Sequence, residues 1–165
     1  MNGDQFTYAK FWRCALQVNP VDYNSIYRGA DHGLDEEGYN QALLQKCLEL
    51  GIAVVGLADH GSVASVDALH ELLKKHGIVV FPGFEIASND KIYYVCLFSE
   101  ETTRQHLERY LGNLDLLDPA DGVRPSRLSS EQLIEKVDQL GGFIYAAHCT
   151  QDSGLLKNRL NHVWK

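Results

Sequence analysis

Five short apolar runs punctuate the chain, at Arg13 to Asn19, Ile52 to Ala58, Ile78 to Phe84, Ile92 to Phe98 and Phe143 to Ala147. Runs of this length and composition are the pattern of strands buried on both faces, so five strands are expected. The segments between them carry helix signals. Asp35, Glu36 and Glu37 suit a helix start, Tyr39, Ala42, Leu43 and Leu50 form an apolar stripe, and Gly51 is placed to end it. A second helix is expected from about Ser62 to His76, with Val66, Leu69, Leu72 and Leu73 on one face and Gly77 as its stop. Ser99 is placed to cap a third helix carrying Leu107, Tyr110 and Leu111. Ser129 with Gln132 reads as a capping box ahead of Leu133, Val137 and Leu140, closed by Gly141 and Gly142. The stretch Asp115 to Ser126, with Pro119, Gly122 and Pro125, reads as a surface insertion rather than a linker.

Strands alternating with helices imply right-handed βαβ units, hence a parallel sheet that is open or closed into a barrel. The polar residues fall at matching places on it. Gln17 and Asn19 end the first strand, Asp59 and His60 follow the second, Glu85 follows the third and His148 follows the fifth. Strand carboxyl ends form the active face of both architectures, so these distant residues are expected to converge on one rim. Imidazole and carboxylate are common ligands of zinc, manganese and iron, and one carboxylate such as Glu85 can bridge two ions. Taken singly, an Asp-His dipeptide or a Glu after a Pro-Gly turn is more often a cap or a surface residue. Their joint placement is what favours a metal site.

Composition narrows the function classes. The chain has 165 residues, 45% of them hydrophobic, enough for one sizeable core. No apolar run approaches membrane-spanning length, and Met1 to Thr7 lacks the basic and apolar regions of a signal peptide, which fits a cytoplasmic protein. Cys14, Cys47, Cys96 and Cys149 lie far apart inside apolar stretches and read as reduced core cysteines. The formal net charge of −7 argues against holding nucleic acid by broad phosphate neutralisation. Such a substrate would need metal ions, a local basic strip or another domain.

Three motifs carry a resemblance. GIAVVGLADHG at 51–61 is similar to the second motif of PHP domains, the polymerase and histidinol phosphatase family of metal-dependent phosphoesterases. GIVVFPGFEIAS at 77–88 resembles the third, and GGFIYAAHC at 141–149 resembles a later strand ending in Ala-His. The resemblance covers nearly the whole chain and implies the N-terminal part of a distorted (βα)7 TIM-like barrel, an α/β fold. Residues 1–165 would be one PHP domain, incomplete at its C-terminus. It implies His60, Glu85 and His148 as metal ligands, with Glu85 as the bridge, Asp59 beside them in the catalytic set, and Mn, Mg or Zn as the divalent cofactor. The family's opening His-x-His pair is replaced by Gln17 and Asn19 in ALQVNP, which favours fewer or harder ions. His32 lies where the family often has an additional ligand. Tyr93 or Tyr94 stands where relatives can carry another His.

The opening FWRCALQVNP and the later GLLKNRLNHVWK are similar to PHP domains fused to SMC-like ATPases in bacterial proteins, some associated with defence against phage. That resemblance implies an attached SMC-like ATPase, and a phosphate ester, including nucleic acid, as substrate. It leaves two functions open: a metal-dependent phosphoesterase or nuclease, and a catalytically degenerate PHP domain kept as a structural or regulatory module. With about five of the family's seven strands present, an unpaired sheet edge is expected to promote homo-oligomer formation. His70, His76 and His106 fall on or beside helices and read as solvated or capping residues, while Arg124 and Arg127 are candidates for phosphate contact in a charged loop.

Overall fold

The computed structural model describes residues 11–21, 33–60, 62–117, 125–151 and 155–156. The elements in chain order are β1 (Arg13–Val18), α1 (Glu36–Leu50), β2 (Ile52–His60), α2 (Val66–Lys75), β3 (Val79–Ala87), β4 (Tyr93–Leu97), α3 (Arg104–Gly112), α4 (Ser130–Gln139) and β5 (Phe143–Ala146). All five expected strands are present. Asp35 caps α1 by accepting from Gly38 N at 2.8 Å, and Gly51 ends it in the left-handed region with φ 62°. Arg13 also donates to the α1 carbonyl of Leu50 at 2.7 Å. The Ser129–Gln132 capping box forms as expected. α2 is shorter than its expected span, and α3 is capped by Thr103, not Ser99, because Thr103 and His106 close their own capping box.

The sheet order is β1-β2-β3-β4-β5, and the sheet is mixed rather than parallel. β1, β2 and β3 are parallel; β4 runs antiparallel to β3 and to β5. The reason is the short connection from Ser88 to Ile92. A parallel crossover needs about a dozen residues or more, and this link can only make a hairpin. It is pinned by Ser88 N donating to Ile92 O at 2.9 Å and by Ser88 Oγ accepting from Ile92 N at 3.2 Å. Two reversals leave β5 pointing the same way as β3, so the carboxyl ends of β1, β2, β3 and β5 still share one rim.

The sheet curls into a half-barrel. Neighbouring strands lie about 4.8 Å apart, so a flat five-stranded sheet would hold its edges roughly 19 Å from each other. Instead, Tyr145 on β5 donates its hydroxyl to Leu16 O on β1 at 2.8 Å. Glycines permit the bend. A Cβ at Gly56 would sit 2.5 Å from Leu16 O, and one at Gly83 would collide with the carbonyl oxygen of Cys96. The convex face packs on the helices through Val55, Leu57, Phe84 and Ile86, meeting Leu44, Leu69, Leu73, Leu107 and Leu133 in the main core. The concave face holds a smaller cluster, Ala58, Val95, Leu97 and Ala147, flanked by Phe81, Tyr93 and Tyr145.

Three expectations need correction here. β1 is an edge strand in which half the residues are exposed and none is fully buried, so it is not buried on both faces, and Cys14 on it is exposed rather than a core cysteine. His70 is buried at 6% exposure, not solvated, because it lies on the inner side of α2 with Leu69 and Leu73. Cys47 and Cys96 do belong to the core. No helix among the described residues is long and apolar enough to cross a membrane.

Gly83→Ala is expected to cost more than about 2 kcal/mol in urea unfolding, because the added methyl meets backbone rather than a movable side chain. Burial, then the charge of Glu85, then Cys96, push the Tyr145 hydroxyl above its ordinary pKa of 10.0. The folded chain therefore holds this proton more tightly than the unfolded chain does. Stability from this group is intact below pH 10.0 and falls as pH rises from there towards the folded value. Tyr145→Phe should cost about 0.5–1 kcal/mol at neutral pH and flatten that alkaline loss in unfolding curves measured across the range.

Candidate functional site

Strand register assembles the site. β2 and β3 pair with His60 opposite Glu85 and Ala58 opposite Gly83, so both polar side chains follow the small residues on the concave face. β1 contributes through an irregularity. From Ala15 to Val18 it advances three positions while β2 advances two, from Val55 to Leu57, and Gln17 sits inside that bulge. Bulges re-aim side chains, and this one delivers Gln17 to Glu85. His148 arrives from the turn after β5.

Glu85 is the centre of the group and has 0% exposure. Its Oε2 accepts from Gln17 Nε2 at 2.8 Å and lies 3.3 Å from His60 Nδ1. Its Oε1 lies 3.2 Å from His148 Nε2. Gln17 Nε2 is also 3.5 Å from His148 Nε2, which closes the ring of contacts. Each carboxylate oxygen thus faces a different imidazole. Burial, and after it the charge of Glu85, raises the Cys96 thiol far above its ordinary range.

His148 takes a left-handed backbone conformation, φ 52°. For a non-glycine residue this costs on the order of 1 kcal/mol and persists only where surrounding structure holds it. Here the His148 carbonyl accepts from Gln151 N at 3.0 Å, and the Tyr93 ring stands edge-on to the imidazole with centroids 6.2 Å apart. Of the two tyrosines, Tyr93 is the one beside this imidazole. Tyr94 points to the main core. The strict alternation of β4 was the available signal.

Not every expected residue joins the group. Asp59 alternates to the opposite face of β2, is buried at 2% exposure, and its carboxylate accepts the His60 backbone N–H at 2.7 Å. Asn19 lies just beyond β1. Its carbonyl accepts from Tyr39 at 2.8 Å, while its Oδ1 is buried and accepts no hydrogen bond among the described residues. His32 and Arg124 fall outside the described residues. Arg127 pairs with Asp115 at 3.2 Å on the surface. His76 binds Leu72 O at 2.9 Å at the end of α2, and His106 serves the α3 cap, so both are local helix-end residues.

The donor set suits a cation in part. Ligands about 2.1 Å from one ion stand roughly 3.0–3.4 Å from each other, close to the contacts Glu85 makes with His60 and His148. Among the described residues, Glu85 Oε1 and Asn19 Oδ1 are buried oxygens that accept no hydrogen bond, the kind of atom a cation would satisfy. Yet among the described residues no three His, Cys, Asp or Glu side chains form a ready cage for a single ion. The imidazoles flank different oxygens of Glu85, a disposition closer to a bridging carboxylate than to a single tetrahedral centre.

No protein-family model and no curated protein matches the chain. Solved structures do. The lesion-specific endonuclease EndoQ from Pyrococcus furiosus superposes with a TM-score of 0.50 at 16% identity, covering 70% of this chain and 32% of the endonuclease. A protein assigned as a metal-dependent phosphoesterase from Bifidobacterium adolescentis gives a TM-score of 0.52 at 14% identity, covering 86% of this chain and 68% of that one. The chain spans about a third of the endonuclease's length. What these likenesses share with the chain is the fold.

Gln17→Leu removes a donor from a fully buried carboxylate and should destabilise the chain by about 1–3 kcal/mol. Urea unfolding measured with a chelator present isolates that cost from any effect of bound ions. No change in the midpoint would mean that Gln17 does not support Glu85.

Proposed function

We propose that this chain is a PHP-type metal-dependent phosphoesterase domain acting on phosphate esters, with the phosphodiesters of nucleic acid as the substrate class. The observation that carries the reading is Glu85, a fully buried carboxylate with a separate imidazole at each oxygen. The fold it shares with a phosphoesterase and an endonuclease supports it, as do the three motif resemblances.

In this reading His60, Glu85 and His148 are ligands, Glu85 is the bridge, Gln17 and Asn19 supply weaker amide donors, and His32 is an additional ligand. Bound divalent ions, manganese or magnesium before zinc, would supply charge neutralisation at the phosphate and acidification of a water. The chain's own residues orient. Asp59 holds the His60 backbone, Tyr93 braces the His148 ring, and the apolar cluster below them keeps water from the floor of the site. The net charge of −7 leaves little for gripping a nucleic-acid backbone, so substrate hold would fall to the ions or to another part of the protein. The resemblance of FWRCALQVNP and GLLKNRLNHVWK alone supports a larger protein with an SMC-like ATPase and a defence role.

One observation favours a second reading. Gln17 already donates to Glu85 Oε2 at 2.8 Å, satisfying part of the carboxylate without an ion, as a catalytically silent regulatory domain would require. Glu85→Gln separates the two. It keeps the shape and removes the charge shared between ions, so bound metal and phosphodiesterase activity of the complete protein should fall together by at least about tenfold. His76→Gln, at a helix end away from the rim, should change neither. Metal content by mass spectrometry and turnover of a fluorogenic phosphodiester are the readouts, and unchanged values for Glu85→Gln would favour the regulatory domain.

A further inference from the structure

β5 carries an aromatic feature that the proposed chemistry does not use. Alternation puts Phe143 and Tyr145 on one face of the strand, and Tyr145 packs against the concave apolar cluster. Register ties both rings to the polar group. His60 lies opposite Glu85, Glu85 opposite Val95 and Val95 opposite Tyr145, so one cross-strand row runs from the candidate ligands to the tyrosine. Glu85 and Tyr145 are two strands apart, roughly 10 Å along the sheet. Phe143 stands in the next row, opposite Leu97 and about 6.8 Å further down β5. Tyr93 stands on the other side, against His148.

Packing does not account for Phe143, which is 62% exposed at the start of a strand that pairs only with β4 among the described residues. A lone exposed hydrophobic residue is ordinary on a protein surface, but this one continues a row of rings that ends at the candidate ligands. The rings of Phe143 and Tyr145 have centroids 5.9 Å apart and planes at 39°, so they are tilted rather than stacked and leave face area open. Tyr145 is fixed at its far end, where its hydroxyl donates to Leu16 O at 2.8 Å. A ring already held loses little freedom when a flat group stacks on it. Charge points the same way. With a net charge of −7, a nucleic-acid strand must be held by something other than broad phosphate neutralisation.

We infer that Phe143 and Tyr145 form a stacking subsite for the bases of single-stranded nucleic acid, beside a phosphodiester held at Glu85. This subsite rests on the phosphoesterase reading of Glu85 and narrows its nucleic-acid substrate to an unpaired strand. Every base has a π-face that stacks on an aromatic ring with little regard to sequence. In a duplex those faces are covered by neighbouring bases, so the subsite favours single over double strands. The spacing of the two rings along β5 is comparable with one nucleotide step of an extended strand.

The test is fluorescence anisotropy of the full chain, with calcium in place of the catalytic ions to slow hydrolysis. The probes are a labelled thymidine oligonucleotide, its duplex with an adenine strand, and an abasic strand with the same number of phosphates. The single strand should bind at least about fivefold more tightly than either of the others. Phe143→Ala should weaken the single strand at least about fivefold and leave the abasic strand unchanged, with circular dichroism confirming the fold. Phe143→Leu, apolar but without a ring, should behave like Phe143→Ala, whereas Phe143→Trp should keep the preference. Ile134→Ala, at an exposed position on α4, should change nothing. Equal binding of base-bearing and abasic strands, or no binding of any probe, would overturn the inference. So would an unaltered preference in Phe143→Leu, which would mark the exposed ring as cover for another polypeptide. None of these outcomes decides the phosphoesterase reading, which stands or falls on metal content and turnover in Glu85→Gln.

Discussion

A carboxylate withdrawn from water must be met by donors or cations on every side, and Glu85 imposes that requirement at the centre of this fold. Its partners come from β1, β2 and the turn after β5, and β1 and β5 are the two ends of the strand order. Only a curled sheet can bring them to one carboxylate. The curl in turn depends on Gly56 and Gly83, where a side chain would strike the backbone of the neighbouring strand. Local irregularities serve the same end: the bulge that aims Gln17, and the left-handed backbone of His148. Structural departures from regular strand geometry thus concentrate where the polar side chains meet.

The two faces of the sheet divide the labour. The convex face, covered by four helices, carries the main core and fixes the strands. The concave face has only a small apolar cluster, which forms a floor under the polar ring. Substitution in the main core should act chiefly on stability. Changes on the concave side alter the surroundings of Glu85 directly, through Tyr93 at His148 or Tyr145 at the clasp to Leu16.

Much of this was legible in the chain. Five apolar runs located all five strands, and Asp35, Gly51 and the Ser129–Gln132 pair marked helix ends, because caps are local chemistry. Convergence of Gln17, His60, Glu85 and His148 followed from their places at strand ends. Alternation of strands and helices predicts parallel strands throughout, but the five residues from Ser88 to Ile92 are too few for a crossover, and β4 runs antiparallel. Asp59 is next to His60 in sequence but not in the site, because adjacent residues on a strand face opposite ways. The burial of His70 and Asn40 was invisible for a different reason: it depends on how α1 and α2 meet other segments, and no local pattern reports that.

The claim most exposed to test is that Glu85 joins two ions rather than completing a hydrogen-bonded ring with Gln17. Electron paramagnetic resonance during manganese titration addresses it directly, because two manganese ions sharing a carboxylate couple magnetically. The account predicts a multiline spectrum of a coupled pair at saturation. An isolated six-line spectrum at one ion per chain, or no bound signal at any ratio, would contradict it.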